Sequence, residues 1–191
     1  MAPGPSEAIV DQLFALLETA GQSAYFGEPV TQVEHALQCA QLARDSGAGE
    51  EMIIAALLHD IGHLLEEDGL QRHENVGVID HDAAGARYLR DRGFSDRVAA
   101  LVGGHVEAKR YLTTTNPSYF ARLSPASVAT LELQGGPMTA EQAAVFEGDP
   151  LKDDKLRLRS WDETGKRPGC PVAPLSSYRE LLISHLNRAH N

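Results

Sequence analysis

Four histidines and two aspartates carry most of the chemistry this chain can do. His35, His59, His81 and His105 are separated by about one helix and a loop each, Asp60 adjoins His59, and Asp162 follows Trp161 near the end. Imidazole and carboxylate donors without sulfur suit iron, manganese or another borderline-to-hard ion better than structural zinc. The apolar run Ala55-Ala56-Leu57-Leu58 ends in His59-Asp60, and such a pair at a buried helix end is costly unless a metal or a hydrogen-bond network compensates it. Six donors exceed the needs of one open catalytic metal. Asp60 as a bridge suggests two, with His35 and Asp162 on one side and His59, His81 and His105 mainly on the other; the spacing leaves the partition open. A single helical histidine is more often a core or surface residue, and Asp162 alone reads as a helix-end carboxylate. The ordered set points to metal. His73, His185 and His190, in a polar loop and in or after the last helix, are read as non-ligands.

Histidines on successive helices can reach one centre only in a bundle. The helix-start signals support one. Ser6 is placed to cap a first helix, Thr31-Gln32-Val33-Glu34 is a capping box opening the His35 helix, and a helix from about Glu50 runs into His59-Asp60. Asp80 and Ser95 precede the His81 and His105 helices. Ser124-Pro125 and Thr139-Ala140-Glu141-Gln142 start two more. A helix with Leu156, Leu158 and Trp161 ends near Asp162, and Ser176 to Asn187 is a terminal helix. Leu65 to Asp80 has weak periodicity and reads as a loop or lid. The expectation is an all-α helical bundle, one domain over 1–191.

With 191 residues, 42% hydrophobic and 23% charged, the composition is that of an ordinary globular protein. A net charge of -10 argues against nucleic acid or an anionic membrane as partner. Two cysteines outside any Cys-x-x-Cys pattern argue against a disulfide framework and a thiolate zinc site. With no signal peptide and no bilayer-length apolar stretch in view, a cytoplasmic protein is expected. Oligomeric state is not legible.

The order and spacing of these motifs resemble the HD-domain superfamily of metal-dependent enzymes, mostly phosphohydrolases with a minority of diiron oxygenases. Nearly the whole chain is similar to the PhnZ-type mixed-valence diiron oxygenases, which cleave carbon–phosphorus bonds. The stretches that carry the likeness are Tyr25-Phe26-Gly27-Glu28, Gln32-Val33-Glu34-His35, Leu57 to His63, Gly104 to Leu112, Gln134-Gly135-Gly136-Pro137-Met138 and Arg159-Ser160-Trp161-Asp162. The resemblance implies two iron ions as an Fe(II)/Fe(III) pair, O2 as co-substrate and a small organophosphonate as substrate. It implies Tyr25 as a gate over one metal, with Glu28 as its partner near a substrate amine. Ser127 and Gln134 are implied as neutral donors to substrate.

Spacing adds cations beside the donors. His63 lies four residues after His59, Lys109 four after His105, and Arg159 three before Asp162. Helical residues so spaced share a face, and three such side chains would hold a tetrahedral dianion, the arginine bidentately. The substrate the resemblance favours is (R)-1-hydroxy-2-(trimethylammonio)ethylphosphonate or its 2-amino counterpart, giving phosphate and glycine betaine or glycine, with hydroxymethylphosphonate as a smaller variant. Phe26, Tyr111, Tyr119, Phe120 and Glu66-Glu67-Asp68 are candidates to meet the cationic end. The alternative is an HD-type phosphohydrolase of a nucleotide or phosphate ester.

Overall fold

Helix α3 (Glu50–Leu58) is apolar nearly all round, and Met52 and Ile54 through Leu58 are buried. A helix without a polar face belongs at the centre of a bundle. The computed structural model, which describes residues 3–66, 69–73 and 77–189, places it there. Helices α2 (Gln32–Asp45) and α5 (Asp96–Thr115) flank α3, α4 (His81–Asp91) lies along α5, and α9 (Lys152–Thr164) packs on α2 and α5. Helices α1 (Pro5–Thr19) and α10 (Arg179–Ala189) pack together, so one hydrophobic core runs from Val10 to Leu186. Helices α6 (Pro117–Phe120) and α8 (Ala140–Glu147) pack on α5, and α7 (Pro125–Leu133) between them in sequence brings Ser127 and Thr130 to a cavity beside His81 and His105. The fold is all-α. Within the stretch expected as a loop or lid, β1 (Arg72–His73) and β2 (Gly77–Val78) make a two-residue antiparallel ladder.

The caps form where the sequence places them. The Thr31 hydroxyl accepts from the Glu34 N–H while the Glu34 carboxylate accepts from the Thr31 N–H at 2.7 Å, and Thr139 with Gln142 repeats the box. Ser95 and Ser124 accept from the N–H groups of Val98 and Ser127; each such cap stabilises its helix by about 1 kcal/mol. Asp80 precedes α4 but makes no side-chain cap. Ser6 does not cap α1. The helix starts at Pro5 after Gly4, because proline needs no N–H partner there and its φ is preset for the first turn. Ser6, inside the helix, donates to Asn187 on α10 at 2.7 Å.

A larger departure concerns the central motif. Helix α3 stops at Leu58, His59-Asp60 form a turn, and Ile61–Leu64 is a 3-10 segment. His63 is therefore not on an α-helical face shared with His59. The turn lays Gly62 against the first turn of α4, so close that a Cβ there would sit 1.9 Å from the His81 carbonyl oxygen. Among the described residues no helix is long and apolar enough to cross a membrane.

Candidate metal centre

All four imidazoles point Nε2 at a common centre. His35 and His59 bring these atoms within 3.1 Å of each other, and His81 and His105 within 3.0 Å. Neither contact is an ordinary hydrogen bond, because each ring already has its Nδ1 on a backbone carbonyl. His59 meets Ala56 at 2.9 Å, His81 meets Val78 at 3.2 Å, His105 meets Val102 at 2.7 Å, and His35 meets Gly165 at 2.9 Å. A carbonyl can only accept, so Nδ1 carries the proton and Nε2 presents a lone pair. Lone pairs face each other, which calls for a cation between them. Carbonyl contacts of this kind are how metal-binding imidazoles are oriented.

Asp60 lies between the two pairs. Its Oδ2 is 3.3 Å from His59 Nε2 and 3.6 Å from His35 Nε2; its Oδ1 is 3.3 Å from His81 and 3.4 Å from His105. Asp162 Oδ1 approaches His35 Nε2 at 3.4 Å and His59 at 4.0 Å, and it is buried without a hydrogen-bond partner. Donors at right angles on one metal stand about 3 Å apart when bonds are about 2.1 Å, so these spacings suit two metal positions. The grouping differs from the one favoured by sequence order. His59 joins His35 and Asp162, leaving His81 and His105 together, because α3 ends before His59 and the Ala56 carbonyl turns its ring toward α2.

The centre is built for positive charge. Burial opposes ionisation of Asp60, yet the surrounding imidazoles, His59 first, hold it well below the usual carboxylate range. Asp162 is likewise held low against burial, chiefly by Arg159. Burial works against charge on His59, but Asp60 and Asp162 outweigh it and lift the imidazole to about 9, so the positive charge that a metal would bring to its Nε2 is one this position also accepts as a proton. Cys39 is near the cluster, 3.7 Å from His35 Nε2. Burial pushes its thiol up, and Sγ faces the Trp161 carbonyl at 3.5 Å, so it remains a protonated spectator.

His63 has the opposite tautomer. The Val78 N–H donates to its Nδ1 at 3.2 Å, which leaves the proton on Nε2. Its ring stacks on His81 with centroids 3.8 Å apart, and burial, then His81, holds it well below the ordinary histidine value. His63 is thus a neutral N–H donor beside the cluster, although it stands close enough to Asp60 and His81 to invite reading as a third ligand.

Lys109 is buried, and its ammonium donates to Thr130 Oγ1 at 2.8 Å. Burial and, next, Arg159 lower it to about 7. Ser127 is buried beside it, and Gln134 Oε1 is buried with no partner. With Tyr25, Phe26, Glu28 and Lys166 these residues line a cavity of about 40 Å³ against the cluster. Tyr25 donates to Asp60 Oδ2 at 2.8 Å and stacks on His35 at 4.2 Å. Burial, followed by Asp60 and Asp162, pushes its phenol well up, so it stays a donor. Arg159 lines the cavity with its fork partly engaged: Nη1 holds Asp162 Oδ2 at 2.5 Å, Nη2 meets Glu163, and Nε donates to Tyr119 at 2.9 Å. Asp162 takes one nitrogen of the guanidinium, and Nη2 is buried without a hydrogen-bond partner.

The HD-domain pattern matches residues 33–151, more than half of the chain and the span that holds all four histidines and Asp60. The chain belongs to the HD-domain family. This HD-domain chain is 45% identical over 159 residues to the [1-hydroxy-2-(trimethylamino)ethyl]phosphonate dioxygenase (glycine-betaine-forming) of Leisingera caerulea, covering 83% of this chain and 81% of that one. It is 45% identical over 181 residues to the hydroxymethylphosphonate dioxygenase of Gimesia maris, covering 94% and 89%. An uncharacterised protein of Acanthamoeba polyphaga mimivirus is 39% identical over 183 residues, covering 95% and 84%. Asp162 lies beyond the HD match, on α9.

Sequence reasoning missed Lys166, which pairs with Glu28 at 3.3 Å from an aperiodic loop. It read Ser124 only as a cap, whereas the hydroxyl also donates to Glu28 at 2.7 Å. Of the aromatic candidates, Phe26 lines the cavity, Tyr119 serves Arg159, Tyr111 packs on Phe146, and Phe120 is exposed. Glu66 is exposed; Glu67, Asp68 and His190 lie outside the described residues. His185 accepts from the Ser95 N–H, and His73 is exposed on β1.

Proposed function

We propose that this HD-domain protein is a dioxygenase that cleaves the carbon–phosphorus bond of 1-hydroxyalkylphosphonates, giving phosphate and a carboxylate. The observation that carries it is the opposed set of lone pairs around a bridging aspartate, with Tyr25 hydrogen-bonded to that bridge. The activities named for the two relatives at 45% identity support the same reaction class. Trimethylammonio-, amino- and unsubstituted hydroxyphosphonates are the substrate set, and the single chain is taken as one catalytic unit.

His35, His59 and Asp162 would hold one iron, His81 and His105 the other, and Asp60 both. An Fe(II)/Fe(III) pair held there would supply the dioxygen activation needed to oxidise the carbon bearing phosphorus. The protein supplies placement. Lys109, the His63 Nε2–H and Ser127 offer a cation and donors for phosphonate oxygens, and Gln134 Oε1 is free to accept from a substrate hydroxyl. Arg159 acts by holding Asp162. The cavity of about 40 Å³ has room for little more than a water. Tyr25 and its loop must move to admit substrate, which keeps oxygen chemistry waiting for substrate.

The test is to reconstitute with iron and follow oxygen uptake and phosphate release from the three hydroxyphosphonates, in air and under argon. Release that stops under argon is the expected result. Release that continues unchanged without oxygen marks a phosphohydrolase and ends the oxygenase reading.

A further inference from the structure

Glu28 is the one carboxylate of the cavity wall, among the described residues, that the metal cluster does not use. It is the group best able to meet a cationic substituent on a substrate, and the Tyr25 ring beside it offers the aromatic face such a cation prefers. Both positions are already taken by the protein itself. The Lys166 ammonium stands 3.3 Å from Glu28 Oε1 and 5.6 Å from the centre of the Tyr25 ring. The pair is shielded, with side chains 13% and 12% exposed, and Ser124 holds the same Glu28 oxygen at 2.7 Å. Lys166 follows Gly165, whose carbonyl orients His35, so its backbone is anchored while its ammonium reaches over the gate.

We propose that Lys166 is a tethered stand-in for a substrate's ammonium group and sets the preference between cationic and uncharged substituents. The inference rests on the phosphonate reading of the site. A substrate carrying an amino or trimethylammonio group enters only by exchanging with Lys166 at Glu28 and Tyr25. A substrate with no cation leaves the Lys166–Glu28 pair intact and gains nothing from displacing it. Like charge from Lys166 therefore weighs against cationic substrates, and Glu28 weighs for them only once Lys166 has moved. Lys166 is a positioning and specificity residue; it need not touch the reacting carbon.

The experiment compares wild type, Lys166→Met and Lys166→Arg, each loaded with iron, on (R)-1-hydroxy-2-(trimethylammonio)ethylphosphonate and on hydroxymethylphosphonate. Dissociation constants are measured by calorimetry under argon, and KM and kcat by phosphate release in air. Methionine keeps the length and the packing of the stem but removes the competing charge. In Lys166→Met the ratio of affinities, cationic over uncharged, should rise roughly five- to tenfold, the scale of one partly shielded ion pair. The change should fall in KM and Kd rather than kcat. Lys166→Arg should keep the wild-type ratio. A ratio that is unchanged or lower in Lys166→Met, with hydroxymethylphosphonate still turned over, overturns the proposal and leaves the dioxygenase reading standing. Wild type that oxidises neither substrate removes that reading, and this one with it.

Discussion

The close approach of Gly62 to α4 makes Gly62→Ala a test of the second metal position. A Cβ at Gly62 would lie 1.9 Å from the His81 carbonyl oxygen and 2.7 Å from its carbon, both backbone atoms that no side-chain rotation can move. Carbon and oxygen must reach at least about 3 Å, so the two segments must part by about 1 Å. One segment carries Asp60 and the other starts at His81, whose facing atoms stand 3.3 Å apart. Whichever side yields, the donors move by several times the tolerance of about 0.2 Å that a metal site allows. Overpacking of this kind costs about 1–3 kcal/mol, and for a chain of this size the melting temperature would fall by roughly 2–12 °C. Metal analysis after reconstitution should find about one iron per chain, with the His35–His59–Asp162 side retained, while circular dichroism keeps its helical signature. Two irons per chain with wild-type phosphate release would refute the proposed role of this contact.

Lys109→Met should keep its iron but raise KM at least about tenfold, since the phosphonate loses a buried cationic partner; an unchanged KM under steady-state assay would move the anion pocket elsewhere. Tyr25→Phe loses the 2.8 Å hydrogen bond to Asp60, a charged-partner bond of about 1.5–3 kcal/mol. Oxygen uptake without substrate, read at an oxygen electrode, should rise above wild type, and uptake no faster than wild type would end the gate assignment. Lys109 also predicts a pH effect. Its value in the protein, about 7, lies below the 10.5 of free lysine, so the resting site loses this charge as pH rises through about 7. A bound dianion draws the proton back, so substrate binding at pH 8 should take up a proton. Calorimetry in buffers of different ionisation heat detects it, and a binding heat independent of buffer would contradict it.

Much of the fold was legible where its causes are local, although Ser6 and Asp80 make no cap. Thr31 with Glu34, Ser95 and Ser124 are caps whose partners lie within three residues, and each forms as read. The six donors were legible as a set for the same reason: their types and order are written in the chain, and the structure brings them together. Their grouping was not, because it depends on where α3 ends. The Leu57 to His63 run is apolar enough to continue as helix, and only the tertiary contact of Gly62 with α4 shows why it tightens instead. The His63 spacing argument therefore failed although His63 lines the cavity, delivered there by the 3-10 turn and the Val78 N–H. Arg159 shows what spacing cannot tell: set three residues before Asp162, it meets that aspartate through Nη1 while it also lines the cavity. Lys166 had no periodicity, cap or motif to mark it.

The carbonyls that orient the four imidazoles differ in how far along the chain they come from. Those of Ala56, Val78 and Val102 precede His59, His81 and His105 by three residues each, whereas Gly165 serves His35 from 130 residues away. During synthesis, the pocket of Asp60, His81 and His105 is encoded in full once α5 has left the ribosome. Its companion stays without its second carboxylate, and the His35 ring stays unanchored, until Asp162 and Gly165 follow. A nascent chain can assemble one half early, and the other only when its last turns fold back, so neither a truncated nor an unfinished product can complete the pair.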